Sequence, residues 1–139
     1  MIRAIIDTSV LIRYLIKPSA AIKELIEERW LGDEIQIMTA LDLIAELEGV
    51  LKRYYIQTLI RSAEGQALLD AITQKADVLP APGPVPAYTR DPKDDKFVAC
   101  ALVGDANYLI TEDKDLLVLQ VVRDVRIMTP YDFLLATHR

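Results

Sequence analysis

Aspartates carry the chemistry that this sequence offers: Asp7 directly after the apolar run Ile2 to Ile6, the pair Asp94 and Asp95, and Asp113 and Asp115 just beyond Tyr108 to Ile110. Each lies beside an apolar run, where a strand ends or a helix begins, and such edges are where open α/β sheets bind ligands. Acids that merely solvate a surface fall anywhere on helices and loops. Two carboxylates meeting inside a fold repel by about 4 kcal/mol at 4 Å and an effective dielectric of 20. A shared proton, a basic partner or a hard divalent cation must compensate. Magnesium suits a few carboxylates with retained waters and substrate phosphates, and manganese tolerates similar ligands. Phosphodiester cleavage is the chemistry such a site performs: the ion makes water a better nucleophile and stabilises charge developing on the leaving oxygen.

Competing chemistries have no residues to work with. The 139-residue chain holds one His, one Cys and five Gly, so no Ser-His-Asp set, Gly-rich phosphate loop or Cys/His metal spacing is present. Cys100, inside Phe97 to Val103, reads as core packing and has no partner for an internal disulfide, which predicts a reducing compartment. The run Ile2 to Ile6 is too short for a signal-peptide core and no stretch has the apolar length of a membrane span, so a cytoplasmic protein without membrane contact is expected. Sixteen Lys plus Arg against twenty-one Asp plus Glu give a net charge of −5, the wrong sign for a whole-surface grip on nucleic acid. Any nucleic-acid contact must be local.

The elements that position these acids follow from periodicity. Length predicts one domain, residues 1–139. Ile2 to Ile6 reads as a buried parallel strand and Leu11 to Ile16 as a helical turn or two. After Pro18-Ser19 a second helix runs to Trp30, with Ile22, Leu25, Ile26 and Trp30 on one face, and Gly32 ends it. Ile35 to Met38 reads as a strand. Thr39 is the expected N-cap of a helix through Tyr54 with a stripe of Leu41, Ile44, Leu47 and Leu51, and another helix spans Thr58 to Lys75. Ala76 to Leu79 reads as a short strand, and Pro80, Pro82, Pro84 and Pro86 around Gly83 as an extended surface loop. A helix from Asp91-Pro92 to Val103 is capped by Gly104, strands follow at Tyr108 to Ile110 and Val125 to Met128, and Thr129-Pro130 opens a terminal helix. Strand and helix alternate throughout. The expected fold is α/β: three layers, helices on both faces of a central, mainly parallel sheet of about five strands.

Ile5-Ile6-Asp7-Thr8-Ser9-Val10-Leu11, Glu46 in Leu43 to Leu47, Asp91 to Phe97, and Ala106 to Leu116 with its Thr111-Glu112-Asp113 together resemble a PIN domain, and the resemblance covers nearly the whole chain. The terminal Ile127 to Leu134 is similar to the branch of toxin components of toxin-antitoxin systems, the VapC-like ribonucleases. The resemblance implies a magnesium- or manganese-dependent endoribonuclease acting on single-stranded RNA. Its acidic positions match Asp7, Glu46, Asp95 and Asp113 as catalytic residues, with Asp7, Asp95 and Asp113 on the metal. Thr8, Ser9, Asp94 and Thr111 would orient those carboxylates or water. An antitoxin protein is the partner it suggests; separately, apolar residues on the early helices suit either a homodimer or the core.

Taken by themselves the residues leave choices open. Asp91, Asp94 and Asp95 crowd one helix start, where an acid simply complements the helix dipole. Glu46 and Glu48 flank the apolar stripe on opposite sides, and only the resemblance selects Glu46. Asp7 and Asp113 are the acids the residues support best as ligands, since both lie just beyond predicted strands, with turn formation as the lesser reading, and Asp115 reads as a cap for the Leu116-Leu117 turn rather than a ligand. Arg13, Arg53, Arg90, Lys93 and Lys96 read as solvated charge or as holders of RNA phosphates, and Tyr54-Tyr55 as core packing before base stacking. His138 has no role. Two other functions compete: a catalytically silent PIN-like module that binds a protein, and an aspartate-dependent phosphatase with Asp7 as nucleophile. The latter normally carries a second aspartate where this chain has Ser9.

Overall fold

The inner strands of the sheet alternate their side chains between two helical layers. The structure, a computed structural model, describes residues 1–80, 83 and 86–138. Among them the strands are β1 (Ile2–Ile6), β2 (Ile35–Ala40), β3 (Asp77–Leu79), β4 (Tyr108–Ile110), β5 (Val121–Val122) and β6 (Val125–Met128). They form one sheet in the order β3-β2-β1-β4-β6-β5. All neighbours are parallel except β5 and β6. Ala4 and Ile6 of β1 pack towards α1 (Thr8–Ile16), α5 (Ser62–Lys75) and α8 (Pro130–Ala136), while Ile5 packs towards α6 (Pro92–Val103) and α7 (Lys114–Leu117). Tyr108 and Ile110 against Leu109 repeat the pattern on β4. The expected three-layer arrangement is present, with six strands where about five were expected. The addition, β5, hairpins onto β6 through Arg123, whose φ is 54°. No Gly or Asn marks that turn, so its sequence carries no hairpin signal.

Local chemistry explains the helix starts. Asp7, Ser19, Asp91, Asp113 and Thr129 each accept a backbone N–H at the start of a helix. Pro92 and Pro130 stand in first turns, where a missing N–H costs nothing. Asp7 starts α1 directly after β1, so that helix is longer than the Leu11 to Ile16 segment expected. The second helix is α-helical only over Ala20–Lys23 (α2) and continues as a π-helical stretch, Glu24–Trp30. Its wider turn still buries Ile22, Leu25, Ile26 and Trp30 as the periodicity predicted. Gly32 follows because a Cβ there would lie 2.1 Å from the Glu28 carbonyl oxygen.

The third helix departs most from its sequence reading. Thr39 is not its cap: Thr39 and Ala40 pair with Val78 and Leu79 in the sheet, so α3 (Leu41–Leu51) starts one residue past the ladder. With that start Leu41 is exposed, and Leu43 and Leu47 are the buried residues. Leu47 joins the core on one face of the sheet and Leu43 the core on the other, so α3 lies across the end of the sheet. The chain leaves helical geometry after Leu51, forms the short α4 (Tyr54–Gln57), and α5 begins at Ser62 rather than Thr58. Of the proline-rich loop, Pro82 and Pro84 lie outside the described residues. Cys100 is buried in the core, as expected, and burial pushes its thiol up to about 12. Among the described residues no helix is long and apolar enough to cross a membrane.

Candidate metal centre

Strand order reverses between β1 and β4: β2 and β3 continue to one side of that pair, β6 and β5 to the other. A crevice opens at such a switch point because the connections leave in opposite directions. Asp7 follows β1, Asp113 lies three residues beyond β4, and the two strand ends are tied together by Asp7 N–H donating to the Ile110 carbonyl at 3.0 Å. α6 packs over β1 and β4 and brings its N-terminal turn, with Asp94, to the same edge.

Asp7 is buried and engaged on both oxygens. Thr111 Oγ1 donates to Oδ2 at 2.6 Å, Ser9 Oγ to Oδ2 at 3.1 Å and Ser9 N–H to Oδ1 at 3.2 Å. Thr111, fully buried, also accepts the Asp113 N–H at 2.9 Å, so one hydroxyl links the ends of β1 and β4. Burial raises the Asp7 carboxyl above its usual range against the pull of these donors, and the charge of Asp113 raises it further.

Carboxylate oxygens of Asp94, Asp113 and Asp115 lie within 4.8 Å of one another. Asp94 is raised to about 7, by burial first, then by its hydrogen bond to Asp113, then by the charges of Asp113, Asp7 and Asp91. Its Oδ2 is a buried oxygen with no donor among the described residues. Oxygens across a magnesium or manganese ion stand about 4.2 Å apart, twice a metal–oxygen distance of about 2.1 Å. A group of three carboxylates with one orphaned buried oxygen therefore fits a hard divalent cation held by Asp94, Asp113 and Asp115, with Asp7 beside it.

Of the two neighbouring acids, the one grouped with Asp113 and Asp115 is Asp94. Asp95 Oδ1 accepts from Tyr88 N–H at 3.0 Å, Thr89 N–H at 2.7 Å and Thr89 Oγ1 at 3.0 Å, so it pins the incoming loop to α6. Asp94, expected only as a supporting group, turns to the acids. One residue along a helix rotates a side chain by about 100°, enough to move it from the strand ends to the loop. Asp115 is likewise reassigned. Asp113 is the cap of α7, accepting the Asp115 N–H at 2.9 Å, and the Asp115 side chain joins the acids. Two acids spaced i and i+2 at a helix start carry that signal, since capping by the first folds the second back beside it.

Glu46 stands next to this group. Its Oε2 accepts from Thr8 Oγ1 at 2.7 Å, and Lys96 Nζ lies 3.2 Å from its Oε1. Lys96 is a residue whose place the sequence did not disclose, since α3 and α6 are distant in the chain and meet only in the fold. Arg13 pairs with Glu112 at 2.6 Å and Arg90 with Asp115 at 2.8 Å. These three cations rim the acids, each already spent on one carboxylate. His138 is exposed at the far end of the chain.

A family model described as PIN domain matches residues 3–115 of the chain. No curated protein matches it. In fold it is similar to a chain in the crystal structure of VapBC2 from Rickettsia felis bound to a DNA fragment from their promoter, with a TM-score of 0.58 and 14% sequence identity. That alignment covers 91% of this chain and 97% of the other. The order and strand context of the acidic segments, the three-layer fold and the family match agree: the chain belongs to the PIN domain family.

Proposed function

We propose that the protein is a magnesium- or manganese-dependent endoribonuclease that cleaves single-stranded RNA, and that it is the toxin of a toxin-antitoxin pair in the cytoplasm. The observation that carries the reading is the orphaned, buried Asp94 oxygen among carboxylates of Asp113 and Asp115. Membership of the PIN domain family supports nuclease activity, and fold likeness to a chain of a VapBC2 complex supports an antitoxin partner.

Asp94, Asp113 and Asp115 would hold the ion, and Asp7 would complete its surroundings. A divalent cation there would supply a more acidic water and stabilise charge on the phosphate oxygens. Thr111 and Ser9 fix the Asp7 carboxylate, so its geometry is set before substrate arrives. Thr8 and Lys96 do the same for Glu46, whose carboxylate is placed to orient water or accept a proton. Asp95 supports the site through the loop it pins. An Asp7 nucleophile, as in a phosphatase, is disfavoured because both Asp7 oxygens already accept hydrogen bonds.

The test has a binding arm and a cleavage arm. Millimolar manganese raises the melting temperature of the wild type, because an ion that binds only the native state stabilises it by mass action, and leaves Asp113→Asn unmoved. RNA cleavage stops with EDTA and in Asp113→Asn. A manganese-independent melting temperature in the wild type would sink the assignment.

A further inference from the structure

We infer that α4 and its flanks form a base-stacking platform for single-stranded RNA, a binding site separate from the acidic centre. The inference deepens the ribonuclease reading and takes its substrate class from it. Tyr54 and Tyr55 are adjacent aromatics that a sequence reading assigns to the core, yet they are 83% and 57% exposed. The buried member of the segment is Ile56, which anchors α4 and leaves both rings outside.

Lys52, Arg53 and Arg61 are exposed around these rings, and no Asp or Glu lies between Glu48 and Glu64. Among the described residues none of these three cations has an ion-pair partner, in contrast to Arg13, Arg90 and Lys96. Arg53 Nη1 donates to the Tyr55 hydroxyl at 3.4 Å, which holds the guanidinium beside the ring. In a chain of net charge −5 a polyanion must be gripped locally, and this acid-free segment offers both uncommitted positive charge and π-faces. A single strand presents phosphates and unstacked bases together, which this combination matches and a duplex does not.

The platform is also within a strand's reach of the acids. α3 carries Glu46, and Tyr54 follows eight residues later. Five helical steps and three extended ones put its Cα no more than about 18 Å from that of Glu46, a span of a few nucleotides. RNA lying with a phosphate at the acids would place neighbouring bases over Tyr54 and Tyr55, with Lys52, Arg53 and Arg61 on the intervening phosphates.

Binding of a fluorescein-labelled oligouridylate to the full chain in EDTA tests this without any cleavage. Replacing each tyrosine, Tyr54→Ala or Tyr55→Ala, is expected to weaken binding by about tenfold, while Tyr→Phe retains it. Arg53→Gln lowers the salt dependence of binding. Both rings are exposed, so the melting temperature stays at the wild-type value. Equal affinity in the Tyr54→Ala/Tyr55→Ala double variant would overturn the platform, as would wild type that does not bind in EDTA. So would a change of oligomeric state in that variant, which would make the face an interface between copies. The two readings separate cleanly: binding in EDTA with no manganese-stimulated cleavage sinks the nuclease alone, and cleavage with tyrosine-independent binding sinks the platform alone.

Discussion

Two buried charged sites in this molecule are built on opposite principles. Arg29, on the π-helical stretch, is 4% exposed and set among groups that answer its charge: Thr137 Oγ1 accepts from its Nη2 at 2.8 Å, its guanidinium sits 5.4 Å from the Phe133 ring centroid, and Glu34 lies 3.9 Å from its Nε, a buried nitrogen paired by charge without a hydrogen bond among the described residues. It ties the C-terminal helix to the layer beneath. At the other end of the sheet Asp94, 9% exposed, has gathered acids rather than a cation, and one of its oxygens has no donor. A buried charge that serves stability is neutralised by what lies around it. One that collects its own sign stores repulsion; Arg90 relieves it at Asp115, and at Asp94 a proton or an added cation does.

Removing the compensated charge should have the largest effect. Arg29→Ala is expected to destabilise by about 3 kcal/mol, since it takes away packing on Phe133 and the buried contacts to Glu34 and Thr137. Chemical denaturation at neutral pH measures it. The uncompensated site should respond with the opposite sign. In EDTA at neutral pH Asp94→Asn is expected to stabilise by roughly 1 kcal/mol while abolishing the manganese-induced rise in melting temperature. A loss of stability in EDTA would place a compensating cation near Asp94 after all.

The pH dependence of the metal-free protein sharpens the same contrast. Asp94 has its folded value near 7, above the unfolded carboxyl, and Asp7 is shifted in the same direction. Between about 4 and 7 the folded state therefore binds more protons than the unfolded one, and stability falls as pH rises. Thermal melts in EDTA should show this decline, and Asp94→Asn should flatten it. The smallest effect belongs to the rim: Arg13→Ala, whose ion pair with Glu112 is half exposed, should change stability by less than about 0.5 kcal/mol. Manganese binding should also be unchanged in that variant, measured by the same thermal shift.

Much of the fold was legible because burial writes itself into short-range pattern. The Ile-rich run of β1, the stripe Ile22, Leu25, Ile26 and Trp30, and the caps Asp91-Pro92 and Thr129-Pro130 are each decided by neighbours within a turn or two. Thr39 was misleading because its neighbour is Val78, a pairing that periodicity within one segment cannot express. Tyr54 and Tyr55 look like core by composition, and only the break after Leu51 turns them outward. Asp94 and Asp95 are adjacent and identical, so nothing in the sequence distinguishes the one facing Asp113 from the one holding Thr89.

The chain by itself determined the layered α/β arrangement and the placing of Asp7 and Asp113 just beyond strands, because strand and helix periods and capping preferences are local properties. Tertiary structure alone decided which acids meet, that Lys96 joins Glu46, and which aromatics face solvent. Those depend on strand order and on helix rotation about an axis, and residues far apart in sequence set both.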